Sequence, residues 1–301
     1  MGGCKRLPIL FTRKTIDTLV EDIYNLFEPS IKNNIKEKDL DKYLEQFSKS
    51  VTNNIKTVLN EQPKKKRKLS LSSIGKPTRQ LWYSSRISDQ AEPLHPATKI
   101  KFLYGDIIEH LLLLLIKTAG YEVTDEQAEK RVDGITGHMD ARVNGVVVDI
   151  KSASQYGFDK FVKGTIFDDD PFGYIAQLSG YADGEDEAAF IVMNKVTGQI
   201  HVCSLDSMEM IDFKEKVKSV KSIVKDDSPP ERCYSDIPDG KSGNRKLATG
   251  CAYCDFKIQC WKDVNGGKGL RKFKYSNGSR FFTKVVKRPP KDIEEEKINV
   301  S

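Results

Sequence analysis

Residues 137–154, GHMDARVNGVVVDIKSAS, hold two short apolar-rich runs separated by Asn144 and Gly145. Asn-Gly between such runs is a preferred two-residue hairpin turn, because both central residues need positive φ. A loop of that length sets Val143 opposite Val146, and by the same count Asp140 opposite Asp149 and His138 opposite Lys151. Side chains alternate along a strand, so Asp140, Asp149 and Lys151 share one face, with opposed Cβ atoms about 4.5–5.5 Å apart. The other face collects Ala141, Val143, Val146, Val148 and Ile150. One face is expected to be core, and the other to concentrate two carboxylates and an amine. Opposed carboxylates repel, so the arrangement needs a cation; Lys151 is one, and a hard divalent ion such as Mg2+ is another.

Outward from the hairpin the pattern is that of a mixed α/β core. The run IKFLYGDIIEHLLLLLIKTA, 100–119, predicts a helix that Gly120 terminates. Asp170 and Pro171 are a suitable N-cap and first-turn pair for a helix through 172–182. AAFIVMNK (188–195) and QIHVCSL (199–205) predict two further strands. Upstream, apolar spacing predicts amphipathic helices over 15–27 and 38–60, so residues 1–62 form a helical N-terminal region. Residues 63–86 read as a basic linker and lead-in segment, 87–225 as the core, 226–261 as a cysteine-rich segment, and 262–301 as a basic hairpin with a flexible acidic tail.

The chain has 301 residues, 49 Lys and Arg against 43 Asp and Glu, and six cysteines. Its length suits one substantial core with additions. Basic residues cluster at 63–68 and between Lys262 and Lys291, which points to a polyanionic partner, nucleic acid before membrane. The longest apolar run, 111–116, is far short of a bilayer span. The N-terminus has no signal-peptide h-region, so a soluble, intracellular protein is expected. In a reducing compartment the four cysteines between 233 and 260 favour metal ligation over disulfides. Cys251 and Cys254 form a CxxC, Cys260 follows after five residues, and Cys233 lies seventeen residues upstream, a set suited to a tetrahedral thiolate site. Cys203 is expected in the core, and Cys4 near the chain end.

With these residues in place, GHMDARVNGVVVDIKSAS resembles the D…(D/E)xK signature of the PD-(D/E)xK nuclease superfamily. Its setting resembles the RecB-type branch, which includes lambda exonuclease and the CRISPR-associated RecB-like nucleases. GDIIEH places Glu109 four residues after Gly105, where the branch has an acidic or histidine ligand. QLSGY gives Gln177 and Tyr181 at QxxxY spacing, and SSIGKPTRQLWY (72–83) is similar to the upstream segment. The likeness spans residues 70–261.

The resemblance implies a restriction-endonuclease-like fold, a mixed central sheet flanked by helices, and metal-dependent hydrolysis of DNA. Glu109, Asp140, Asp149 and the carbonyl of Ile150 are the implied ligands of one or two Mg2+ or Mn2+ ions, with Lys151 orienting or deprotonating the attacking water or stabilising charge. Gln177 and Tyr181 share a helix face and either approach DNA or support the site; Tyr181 as a plain core residue is the alternative. His138 is read as a packed histidine, with a supporting role in the site as the alternative.

The cysteine spacing is similar to the carboxy-terminal part of the iron–sulfur site in these nucleases, whose first cysteine stands just before the Arg-x-Leu-Trp segment. Here Pro77 holds that place. Either Cys233 supplies the missing ligand, giving a [4Fe-4S] cluster, or the four downstream cysteines bind Zn2+. The expected activity is that of a DNA exonuclease for recombination, repair or DNA degradation, phage-encoded and acting in the bacterial host cytoplasm. A single-strand annealing or replication protein is a candidate partner. A structure-specific endonuclease, or a non-catalytic metal-stabilised nucleic-acid-binding protein, are the alternatives. Candidate DNA contacts are Lys64, Lys65, Lys66, Arg67 and Lys68, together with Arg79, Arg271 and Lys274. The 64–68 run is also compatible with a nuclear-import address.

Overall fold

The computed structural model describes residues 14–31, 35–60, 69–206, 209–276 and 278–298. The basic run Lys64–Lys68, Cys4 and the turn residue Asn277 lie outside them. In chain order, a 3-10 turn over Ile16–Thr18 leads into α1 (Leu19–Asn25), followed by α2 (Glu37–Asn60), α3 (Thr78–Arg86) and α4 (Pro96–Thr118). Five strands follow: β1 (Val123–Thr124), β2 (Glu129–Val132), β3 (Ile135–His138), β4 (Ala141–Val143) and β5 (Val146–Ala153). Helices α5 (Gln155–Val162) and α6 (Tyr174–Tyr181) precede β6 (Glu187–Asn194), β7 (Ile200–Asp206) and α7 (Phe213–Ile223).

The central sheet has the order β1-β4-β5-β6-β7, with β5 and β6 parallel and the other pairs antiparallel. Its middle strands are buried on both faces, as their near-continuous apolar sequences require. Val148 and Ile150 of β5, with Ala189 and Ile191 of β6, meet Leu19 and Ile23 of α1 and Ile108, Leu112 and Ile116 of α4. Val147, Phe190 and Val192 meet Phe158 and Phe161 of α5, Leu178 and Tyr181 of α6, and Phe213 and Val217 of α7. The molecule is thus a mixed α/β protein with helices on both sides of a mixed sheet. The face that carries Asp149 and Lys151 is core as well, which corrects the expectation of an open polar face.

Several local expectations hold, and others shift. Val143 pairs with Val146 across the Asn144-Gly145 turn, both of whose residues have positive φ. Gly120, at φ +83°, stands just beyond α4, which begins at Pro96 rather than 100. Asp170 does act as a cap, its two carboxylate oxygens accepting from the N–H groups of Gly173 and Ile175, but α6 starts only at Tyr174. Helix α2 lies along α4 with none of its residues buried, and Leu44 and Leu59 are exposed, so its apolar stripe is only half covered.

After α7 come β8 (Ile237–Pro238), β9 (Arg245–Lys246), α8 (Thr249–Ala252), α9 (Lys257–Cys260), β10 (Arg271–Tyr275), β11 (Gly278–Lys284) and β12 (Glu294–Glu296). A second sheet has the order β12-β10-β11-β9-β8. Its β12 is drawn from the acidic tail, so that segment is a paired strand and not a loose end. Opposite charges fix its position: Arg271 grips Glu295 through two hydrogen bonds of 2.7 and 2.8 Å, and Lys272 sits 2.9 Å from Glu296. Helix α3 joins the two parts, with Trp82 and Tyr83 packed on Phe256, and Trp82 Nε1 donating to the carbonyl of Asp226.

Three glycines place the functional side chains. A Cβ at Gly105 would stand 3.0 Å from Ser152 Oγ, so this glycine lets α4 close on the end of β5. Gly75 and Gly173 cross backbone to backbone, where a Cβ on either would come within 2.2–2.4 Å of the other, and Gly173 also has φ +76°. The crossing pins the turn before α6 to the segment before α3.

Candidate active site

Asp149 is fully buried in the middle of β5, and Lys151, two residues on and on the same face, is 17% exposed at its side chain. Lys151 Nζ stands 2.6 Å from Asp149 Oδ2. Asp149 Oδ1 accepts a hydrogen bond from Gln177 Nε2 at 3.1 Å, and the other end of the Gln177 amide, Oε1, accepts from Lys151 Nζ at 3.4 Å. Gln177 Nε2 also lies 3.4 Å from the Tyr181 hydroxyl. One amide from α6 therefore braces both members of the ion pair. Tyr181 is 2% exposed and belongs to the core, so it supports the site from within.

Asp140 lies just before β4, where the ladder to β5 has ended. Its Oδ2 accepts from the backbone N–H of Ile150 at 2.6 Å, so the carboxylate reaches across to β5 beside Asp149. Ile150 itself faces the α4 side of the sheet. Glu109 comes from α4, and its Oε1 accepts from Gln127 Nε2 at 2.8 Å. His138 does not face Lys151: it lies on β3 opposite Glu129 and is exposed, neither packed nor part of the site. The hairpin count fails there because pairing with β5 reaches back only as far as Ala141. Met139 N–H bonds to Ala128 O and Gln127 N–H to Asp140 O, which turns 135–138 toward β2.

Sequence reasoning did not find Gln127 or Tyr174. Gln127 joins the site through both backbone and side chain from a loop position with φ +55°, a left-handed conformation unusual for its type. Tyr174 opens α6 and presents its ring to Lys151 Nζ, 4.9 Å from the ring centroid. Its place three residues before Gln177, on the same helix face, was the available signal.

The electrostatics show a deficit of positive charge. Burial, then Asp106 and Asp149, push the Glu109 carboxyl up to about 7. Burial, then Asp149 and Glu109, hold the Asp140 carboxyl well above its ordinary range, against the pull of Lys151 and the Ile150 N–H. Burial also raises Asp149, with Lys151 opposing. For Lys151 burial acts downward, but Asp149 and Asp140 outweigh it and raise the ammonium above its usual value. Three carboxyls thus share one ammonium. Asp149 Oδ2, though in ion-pair contact, has no aligned hydrogen-bond donor. A buried carboxylate whose one ammonium is shared with two further carboxyls that repel it is chemistry a divalent cation satisfies. Among the described residues no group of three or more His, Cys, Asp or Glu side chains is placed to hold a metal ion.

A second cluster forms where α3 meets the C-terminal part. Cys233, Cys251, Cys254 and Cys260 line one narrow cavity with Pro77, Arg79, Gln80 and Trp261. The Cys233 sulfur accepts from the backbone N–H groups of Arg79 and Gln80, in the first turn of α3. The Arg79 side chain points inward to the same cavity: Nε donates to Cys260 Sγ at 3.2 Å, and the guanidinium also reaches Pro230 O and Tyr83 Oη. Burial pushes the Cys251 thiol up to about 11 and Cys254 up to about 12. Cys203 is buried in β7, as expected. Of the candidate DNA contacts, Arg79 is engaged with the cysteines, Arg271 is held by Glu295, and Lys274 is exposed on β10.

Fold and site together define a mixed α/β protein built around a buried carboxylate–ammonium cluster. No family model matches the chain, and no curated protein matches it. Among solved structures, that of SSO0001 is similar over 71% of this chain and 95% of its own, with 15% identity and a TM-score of 0.42. An alkaline exonuclease from Laribacter hongkongensis is similar over 51% of this chain and 89% of its own, with 16% identity and a TM-score of 0.35. The same enzyme in complex with dAMP gives 52% and 92%, 15% identity and a TM-score of 0.31. Among the described residues no helix is long and apolar enough to cross a membrane.

The Glu109 shift carries a sign that can be measured. A carboxyl with a higher pKa in the folded than in the unfolded state contributes stability below its unfolded value that is lost as pH rises through the folded one. In the presence of chelator, Glu109→Gln is expected to match wild type near pH 4.5 and to exceed it by on the order of 2–3 kcal/mol above pH 7. Urea melts across that range check it, and a difference that does not change with pH contradicts it.

Proposed function

We propose that the chain is a metal-dependent DNA exonuclease that hydrolyses phosphodiester bonds at DNA ends or in single strands. The observation that carries the reading is the cluster of buried Asp149 with half-buried Lys151, Asp140 and Glu109, one cation for three carboxyls. Glu109, Asp140 and Asp149 are the residues to hold Mg2+ or Mn2+, with the Ile150 carbonyl as a further ligand. When bound, such an ion lowers the pKa of a coordinated water and neutralises charge on the phosphate.

The chain's own groups divide the remaining work. With its pKa raised, Lys151 stays an ammonium near neutral pH. In that form it orients the attacking water and stabilises developing negative charge. Gln177 holds both Asp149 and Lys151 in register, so neither side chain can swing away when the ion pair is disturbed by substrate. Gln127 holds the Glu109 carboxyl toward the other two. The Tyr174 ring lies against the Lys151 ammonium and favours its charged form.

The four cysteines are proposed as a structural metal site, iron–sulfur before zinc. Support comes from Cys233, which stands at the first turn of α3 next to Pro77, the place where the resembled nucleases keep their first ligand. Burial holds Cys251 and Cys254 as thiols in the metal-free protein, so a metal bound there would have to displace their protons. Such a site ties the second sheet to α3, far along the chain.

Three outcomes are expected. Lys151→Ala should lower Mg2+-dependent cleavage of linear end-labelled DNA by at least about a hundredfold at a temperature where circular dichroism shows the variant folded, and should also melt at lower temperature because it leaves Asp149 buried without its cation; full activity in this variant contradicts the assignment. Intact circular DNA should resist the wild type, and its cutting would move the activity to an endonuclease. Anaerobically purified protein should carry iron with broad visible absorbance, or else zinc, and Cys254→Ser should lose that metal and melt at lower temperature. Metal-free wild-type protein that melts like the variant contradicts the second site.

A further inference from the structure

Beside the cluster three aromatic rings stack one behind another toward solvent. Phe161 on α5 is buried and lies 6.3 Å from Tyr174, ring centre to ring centre, with 26° between planes. Tyr174 in turn lies 5.5 Å from Phe172 with 30° between planes. The series ends at Phe172, which is 49% exposed. Because Tyr174 also carries Lys151 at its ring, the exposed phenyl group stands one ring away from the ammonium that handles the phosphate.

An exposed phenylalanine is ordinary on a protein surface, but this one is held unusually firmly. Its turn is fixed on one side by Asp170, whose carboxylate takes the N–H groups of Gly173 and Ile175. It is fixed on the other by the backbone crossing of Gly173 with Gly75. Neither constraint depends on the Phe172 side chain, and packing gains little from it, since half of its surface stays in water. A half-exposed ring on a pinned turn, stacked on a second ring, offers an aromatic surface to solvent.

We propose that Phe172, backed by Tyr174, is a stacking platform for one unpaired nucleobase adjacent to the phosphate at Asp149 and Lys151. The inference rests on the nucleic-acid reading of that site and names its substrate more closely. Bases inside a duplex already stack on both sides, so a single protein ring can take only a base at an end, in a single strand or splayed from a fray. The platform therefore selects single-stranded or frayed ends over the interior of a duplex. Stacking is tolerant of base identity, so the selection is for structure and not for sequence.

The test uses the full chain and a single strand carrying 2-aminopurine, whose fluorescence falls when it stacks, with Ca2+ in place of Mg2+. Wild type should quench the probe on binding. Phe172→Ala should lose the quench and bind the strand about tenfold more weakly, and Phe172→Trp should restore both. Equal melting temperatures for wild type and Phe172→Ala separate lost stacking from lost folding. In Mg2+, Phe172→Ala should raise KM for single strands by a larger factor than it lowers kcat. A Phe172→Ala protein with wild-type quench and affinity overturns the platform while leaving the nuclease reading intact. A wild type that neither binds nor cuts DNA overturns the nuclease reading, and the platform with it.

Discussion

The contact between Asp149 and Lys151 is the one on which the rest of this structure depends. It places two full charges on the central strand of a sheet covered on both faces, where each ion loses several kcal/mol of hydration. Such a pair persists only when its remaining atoms are satisfied, and the surrounding elements are arranged to do so. The Gln177 amide spans both charges, the Tyr174 ring lies against the ammonium, and the Ile150 N–H engages the neighbouring Asp140. Other features that look like local irregularities serve the same end. Gly105 lets α4 come close enough to bring Glu109 in, and Gln127 adopts a left-handed backbone while holding it there. The cluster still has more negative than positive capacity, and that imbalance is the physical basis for expecting a divalent ion.

The second sheet and the cysteine cavity pose a different problem, that of attaching a small C-terminal part to a larger core. Among the described residues the apolar contact centres on Trp82 and Tyr83 of α3 against Phe256. Arg79 adds polar contacts from α3 to Cys260 and Pro230, across about 150 residues of chain or more. A metal held by the four cysteines would add a covalent-strength tie at the same place. The basic hairpin is less open to a polyanion than its sequence suggests, because β12 folds back and pairs Arg271 and Lys272 with glutamates.

The hairpin register was legible because an Asn-Gly turn admits one pairing and period-2 alternation does the rest, which places Asp149 and Lys151 together. The same count went wrong at His138, since nothing in the residue types says that pairing switches to the 125–128 segment after Ala141. Gln177 was visible from its spacing to Tyr181, but its double role at Asp149 and Lys151 depends on how α6 packs across β5. That packing, and the burial of the Asp149 face, are tertiary facts that no local pattern encodes. Spacing could not seat Cys233 beside Pro77 either; the folding of the 226–236 segment onto the first turn of α3 does that. The acidic tail read as loose because three successive glutamates look solvated until their partners on β10 are known.

The most direct test of the account is a calorimetric Mn2+ titration of the metal-free protein near pH 7, repeated in two buffers of different ionisation enthalpy. Carboxyls held above their ordinary pKa range by burial and mutual repulsion must release protons when an ion replaces them. The account predicts Mn2+ uptake with net proton release, both lost in Asp149→Asn. Uptake without proton release, or uptake that survives Asp149→Asn unchanged, would contradict it.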